Sequence, residues 1–292
     1  MTTSNETTPQ TLLPATVGVL GGGRMGAGIA HAFLIHGSKV IVVERDEEAA
    51  RGAQERVAAS VTASFDRGVV AGDHNEVLDG FSTSVDYADF ASCDLVVEAV
   101  PEDEKLKTAA LTAVAEHLAP HAYLATNTSS LSVSALAESL ARPEQFLGLH
   151  FFNPVPASTL IEVVTAEKTS EQTLAAAKGW VSGLGKTAIV VRDAPGFASS
   201  RLGVAIALEA MRMVEEGIAS AEDIDNAMVL GYKHPAGPLR TTDIVGLDVR
   251  LGIAEYLHST IGDRFEPPQI LRDKVAAGEL GRKTGQGFYK WN

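Results

Sequence analysis

His150 is the residue with the most chemical promise, because it lies inside the apolar run Leu147-Gly148-Leu149-His150-Phe151-Phe152 and must be largely buried. An isolated buried imidazole is most often a hydrogen-bonded core residue. The chain that follows shifts that balance. Residues 146–152 read as a buried strand, and 161–164 read as another. The connector 153–160 carries Pro154 and Pro156 and is shorter than the dozen or more residues a parallel crossover needs. The second strand should therefore return antiparallel and bring Glu162 to the sheet edge that holds His150. A carboxylate on one ring nitrogen fixes the tautomer and favours proton uptake at the other. Ser129, in Asn127-Thr128-Ser129-Ser130 after a different strand, offers a hydroxyl to an alcohol or ketone oxygen. Together the three would take a proton from a hydroxyl group.

The other histidines carry less. His36 sits at a helix end, His117 and His121 flank Pro120 and share no regular face, and His234 precedes Pro235 in a loop. His31, His74 and His258 read as helix or loop surface. No H-E-x-x-H or paired Cys–His spacing suggests zinc, and no G-x-S-x-G suggests a serine hydrolase. A Tyr-x-x-x-Lys pair suited to short-chain dehydrogenase chemistry is also missing.

What oxidant would work beside such a base is indicated near the start of the chain. Residues 16–33, TVGVLGGGRMGAGIAHAF, run from a β-branched strand through a glycine loop into a helix. Gly21, Gly23 and Gly26 fit the G-x-G-x-x-G spacing: a tight turn, close approach of a pyrophosphate, and close helix–strand packing. Amides at the start of the helix would face the anion. A glycine triplet alone is weak, but a second strand, Lys39–Val43, ends in Glu44. An acid there accepts from both ribose hydroxyls of NAD and repels the extra phosphate of NADP, while Arg45 keeps a minor NADP reading open. Proton abstraction beside a nicotinamide is alcohol dehydrogenase chemistry.

These residues need a scaffold. Strands at 81–84, 94–100, 123–126 and 146–152 alternate with helical segments at 46–72, 102–118 and 133–140, which indicates a doubly wound α/β domain. A helix at 170–183 and a strand at 186–191 complete it. The stretch Asp193-Ala194-Pro195-Gly196 reads as a boundary between an NAD-binding domain at 1–192 and a smaller all-α domain at 193–292. In the second domain, 197–214 is apolar almost all round, which suits a central helix or a subunit interface. Ser220 and Asp223 form a capping-box-like start, and further helices follow at 247–260 and 269–277. The tail GRKTGQGFYKWN holds Arg282 and Lys283, an anion contact or a solvated terminal turn.

The 292 residues carry a formal net charge of −13, which argues against nucleic-acid or anionic-membrane partners. One cysteine, Cys93, rules out an intrachain disulfide and reads as a small buried hydrophobe. The first fourteen residues lack a signal-peptide pattern and no run reaches membrane-spanning length, so the expected location is cytoplasmic.

With these residues in view, the sequence resembles the 3-hydroxyacyl-CoA dehydrogenase family, particularly its 3-hydroxybutyryl-CoA dehydrogenase members. The resemblance runs from Thr16 to Tyr289 through GGGRMGAGIA, DLVVEAVPED, TNTSSLS, GLHFFNPVP, IEVV, EGIAS and GRKTGQGFY. It implies a Rossmann-type domain followed by a helical dimerising domain, NAD as cofactor and an acyl-CoA substrate. It implies that His150 is the general base, that Glu162 orients it, and that Ser129 bonds the substrate oxygen. Cofactor contacts are implied at Gly21, Gly22, Gly23, Arg24, Met25, Gly26, Glu44, Glu102, Lys107, Ser129, Asn153 and Lys283. CoA contacts are implied at Ser60 and Arg67. Where the family carries an active-site asparagine, this chain has Ser200, which puts the placing of the acyl-CoA in question. Two other functions stay open on the sequence: dehydrogenation of a hydroxy acid without CoA, and a non-catalytic NAD-binding protein.

Overall fold

Runs of valine, leucine and isoleucine with no polar alternation form strands buried on both faces. In the computed structural model, which describes residues 13–291, the strands are β1 (Thr16–Leu20), β2 (Lys39–Val43), β3 (Phe81–Ser84), β4 (Leu95–Glu98), β5 (Tyr123–Thr126), β6 (Phe146–Phe151), β7 (Leu160–Thr165) and β8 (Thr187–Arg192); the edge strands β3 and β8 are not buried on both faces. All eight make one sheet in the order β3-β2-β1-β4-β5-β6-β7-β8. Neighbours pair in parallel except β6 and β7, which pair antiparallel with His150 directly opposite Glu162. The expected return of the second strand is thus observed. The reading of the N-terminal stretch as lacking a signal peptide lies, up to residue 12, outside the described residues.

The helices of this unit are α1 (Arg24–Leu34), α2 (Glu47–Asp66), α3 (His74–Asp79), α4 (Glu104–Ala115), α5 (Val133–Ala137) and α6 (Glu171–Gly183). Asp46, Asp73, Asp103, Ser132 and Ser170 each accept a backbone amide at a helix start, worth about 1 kcal/mol apiece. The segment expected to be helical over 46–72, with a break near Gly68 and Gly72, stops at Asp66, and Gly68 turns out of the helix at φ +67°.

One reading is corrected. His31 is not on the surface. Helix α1 is buried from Gly26 to Leu34, and His31 is 1 % exposed with Nε2 2.8 Å from Ser64 Oγ of α2. Small residues around it let α2 pack close and leave that turn no solvent face. Cys93 lies buried as expected, and burial pushes its thiol up to about 12, with Asp94 and Asp89 adding to the effect.

The chain divides after Asp193 into a second compact unit beginning at Ala194. It contains α7 (Ser199–Glu215), α8 (Ala221–Asn226), α9 (Pro238–Val245), α10 (Leu247–Ile261) and α11 (Gln269–Ala276). Its core gathers Val204, Leu208, Met211, Leu239, Leu247, Leu257 and Leu271. Ser220 caps α8 by accepting the Asp223 amide. Buried Asp243 accepts the amides of Phe288 and Tyr289 and the Trp291 indole N–H, pinning the tail to this core. Helix α7 buries one side only: Leu202 is 63 % exposed and Ile206 38 %.

Candidate active site

The sheet order reverses its direction of growth between β1 and β4, and ligands of such sheets bind beyond the strand C-termini at that point. A cleft of about 1150 Å³ opens there. Of the residues expected from sequence, Gly21, Gly23, Arg24, Met25, Glu44, Glu102, Lys107, Ser129, His150 and Asn153 line it.

The glycine loop shows why each glycine is needed. Gly21 has φ +91°, a conformation that other residues rarely adopt. A Cβ on Gly26 would stand 1.7 Å from the Gly21 carbonyl oxygen, so this position serves close packing. A Cβ on Gly22 would meet that of Ala53 at 2.3 Å. Gly23 is different. Its φ is −61° and a Cβ there would meet nothing within 4 Å, so neither strain nor packing requires glycine. The open space leaves its backbone accessible to a ligand. Glu44 follows directly after β2, with Oε1 accepting the Gly22 amide at 2.7 Å, which fixes an acid beside the loop. These features fit a dinucleotide, with the loop for its diphosphate and the acid for a ribose.

Across the cleft, His150 is 7 % exposed and Glu162 is fully buried. Nδ1 of His150 lies 2.7 Å from Oε2 of Glu162. An ionised carboxylate only accepts, so beside an ionised Glu162 the proton would sit on Nδ1. The Phe152 ring lies 4.5 Å from the imidazole, centroid to centroid. Asn127 ties the neighbouring strand ends by accepting the Phe151 amide at 2.9 Å.

Ser129 is held by Glu102, whose Oε1 accepts the amides of Ser129 and Ser130 and the hydroxyl of Thr128 at 2.6–3.0 Å. Burial pushes the Glu102 carboxyl up, but Lys107 and these donors outweigh it and hold its pKa below the usual carboxylate value. The Lys107 ammonium is engaged within the protein, 2.6 Å from Glu98 and 3.4 Å from Glu102. Glu98, 0 % exposed, was not singled out by sequence, because the run around it reads as uniformly apolar. Its signal was a lone acid in a buried strand, which demands a partner.

Other expected residues are not brought to the cleft wall. Glu162 stands behind His150, and Gly22 and Gly26 behind the loop. Ser60 on α2 and Arg67, just past the end of that helix, lie outside the cleft lining. Ser200 and Lys283 belong to the second unit, where Lys283 donates to both oxygens of Asp248 at 2.6 Å. Among the described residues no group of three or more metal-ligating side chains occurs, and no helix is long and apolar enough to cross a membrane.

Two family models match the chain in sequence: the 3-hydroxyacyl-CoA dehydrogenase NAD binding domain over residues 16–194, and the C-terminal domain of that enzyme over 196–291. The chain belongs to the 3-hydroxyacyl-CoA dehydrogenase family. A probable 3-hydroxybutyryl-CoA dehydrogenase of Deinococcus radiodurans is 40 % identical over 94 % of this chain and 99 % of its own. The mitochondrial hydroxyacyl-coenzyme A dehydrogenase of Sus scrofa is 39 % identical over 96 % and 92 %. The crystal structure of (S)-3-hydroxybutyryl-CoA dehydrogenase from Ralstonia eutropha superposes with a TM-score of 0.91 at 37 % identity, covering 96 % of this chain and 99 % of that one. The sheet unit is therefore the NAD-binding domain of a 3-hydroxyacyl-CoA dehydrogenase, followed by that family's helical C-terminal domain.

Proposed function

We propose that this chain oxidises a short-chain (3S)-hydroxyacyl-CoA, such as 3-hydroxybutyryl-CoA, to the 3-ketoacyl-CoA, or runs the reverse reduction. The observation that carries this reading is the His150–Glu162 bond at the wall of a cleft that also holds the glycine loop. Nε2 of His150 takes the proton of the 3-hydroxyl, and Glu162 stabilises the imidazolium that forms. The hydroxyl of Ser129 donates to the substrate oxygen as negative charge develops there. NAD, when bound, accepts the hydride from C3. The amides of Gly23 and Arg24 would hold its diphosphate and Glu44 a ribose, while Glu102, Lys107 and Asn153 line the rest of the same cleft. Ser60 and Arg67 serve the CoA moiety, a role that the family resemblance supports.

The helical domain from residue 193 onward is read as the dimerising part. Exposed Leu202 and Ile206 on α7 support a homodimer, as do Leu230 and Tyr232, 67 % and 75 % exposed. The net charge of −13 and the single buried cysteine support a cytoplasmic enzyme without nucleic-acid or membrane partners.

NADH formation across a panel of hydroxyacyl-CoA thioesters and free hydroxy acids tests the activity. Turnover of 3-hydroxybutyryl-CoA is expected, and activity on free acids alone would overturn the reading.

A further inference from the structure

Proton transfer at His150 gives no role to Glu98, yet among the described residues only Glu162 and Asp243 are carboxylates so fully enclosed. It closes β4 at the cleft end of the sheet. Its Oε1 accepts from Lys107 Nζ at 2.6 Å and from the Val100 amide at 2.7 Å, and its Oε2 from Thr126 Oγ1 at 2.6 Å. Lys107, 1 % exposed, donates also to the Val100 carbonyl at 3.1 Å and stands 3.4 Å from Glu102 Oε2. The chain of charge then reaches Ser129. Glu102 Oε1 receives the Thr128 hydroxyl at 2.6 Å, the Ser129 and Ser130 amides at 2.8 and 3.0 Å, and the Ser130 and Ser129 hydroxyls at 3.0 and 3.2 Å.

Those donors outnumber the lone pairs of one carboxylate oxygen. The longest contact, from the Ser129 hydroxyl, is the one Glu102 can lose at least cost. The amides hold the turn in place whether or not that hydroxyl stays. A donor that is positioned by its backbone but loosely bound through its side chain is what a substrate oxygen needs.

We propose that Glu98 is a positioning residue for Ser129. By holding Lys107 it leaves Glu102 an anion shared between one distant ammonium and the 128–130 turn. With Glu98 neutralised, the ammonium turns wholly to Glu102, draws that carboxylate off the turn, and Ser129 loses its aim. The inference rests on the reading of Ser129 under Proposed function. A purely structural clasp joining β4, β5 and α4 would show the same bonds, so the test must separate the two.

A double-mutant cycle does so. The rates of 3-hydroxybutyryl-CoA oxidation are compared in the wild type, Glu98→Gln, Ser129→Ala and the double variant, with NADH binding followed by fluorescence. Ser129→Ala is expected to lower kcat by about 10²-fold, the scale of one lost oxyanion donor. Glu98→Gln is expected to lower kcat about tenfold at saturating NAD, as one weakened charge-assisted hydrogen bond would, with KM for 3-hydroxybutyryl-CoA held within about twofold. In the double variant the rate should match Ser129→Ala alone. Multiplying losses, or a wild-type rate for Glu98→Gln, would overturn the inference. If Glu98→Gln fails to unfold cooperatively, Thr126→Val replaces it in the same cycle, with about a threefold loss expected alone and none beside Ser129→Ala. An inactive wild type would remove the reading of Ser129 as well, whereas an active wild type with multiplying losses removes only the role of Glu98.

Discussion

His150 and Glu162 are directly opposed residues of an antiparallel strand pair, and their side chains meet at 2.7 Å on one face of the sheet. Opposed residues of such a pair project to the same side with Cβ atoms about 5 Å apart. The imidazole is therefore aimed by backbone pairing and by the carboxylate together. Replacing His150 with alanine should lower kcat by about 10²–10⁴ and leave NADH affinity within about twofold. Glu162→Gln, which keeps the shape and loses the charge, should fall between that variant and the wild type. Steady-state rates with a fluorescence titration of NADH check both.

The glycine loop predicts two opposite outcomes for one kind of substitution. Gly26→Ala must move backbone, because its Cβ would stand 1.7 Å from the Gly21 carbonyl oxygen, and should cost about 1–3 kcal/mol of stability or more. Gly23→Ala meets nothing within 4 Å and should leave the unfolding midpoint unchanged, yet weaken NADH binding about tenfold or more. Thermal unfolding and NADH titration of the two variants give the comparison.

Cofactor choice should depend on Glu44. Its carboxylate is fixed 2.7 Å from the Gly22 amide, so a phosphate on the ribose would face an immobile negative charge. Glu44→Ala should raise KM for NAD about tenfold and move the NAD to NADP ratio toward unity. Measuring kcat/KM with each cofactor decides it.

Acid should weaken the fold through His31. Burial lowers its pKa from 6.5 to about 4, with smaller contributions from Arg67, His36 and Lys186. The folded-state pKa lies below the unfolded one, so as pH falls from 6.5 the unfolded chain binds this proton first. Stability is untouched above that value and declines until about pH 4, by roughly 3 kcal/mol in total. Urea midpoints between pH 7 and 4.5 should fall less steeply in His31→Gln than in the wild type.

The antiparallel return of β7 was legible because connector length limits strand direction, whatever the side chains. The glycine loop and Glu44 were legible because their spacing answers one ligand's shape. His31 was misread, since one helix's own pattern does not show how closely α2 covers it. Glu98 escaped notice for a related reason: four residues of β4 are all buried, and one acid hardly disturbs so apolar a run. Helix α9 was passed over because Thr241, Thr242, Ile244 and Val245 are poor helix formers, although Pro238 stands at its first turn, where proline is favoured. Tertiary packing outweighs propensity there.

The pairing of β6 with β7 also sets where this enzyme tolerates change. A slip of one residue between the two strands would turn Glu162 to the opposite face and strand the imidazole. The hairpin joining them can vary in composition and length only if the ladder beneath keeps its alignment. Insertions that engineers or evolution place at residues 156–159 will succeed or fail on that condition, long before any of them touches a substrate.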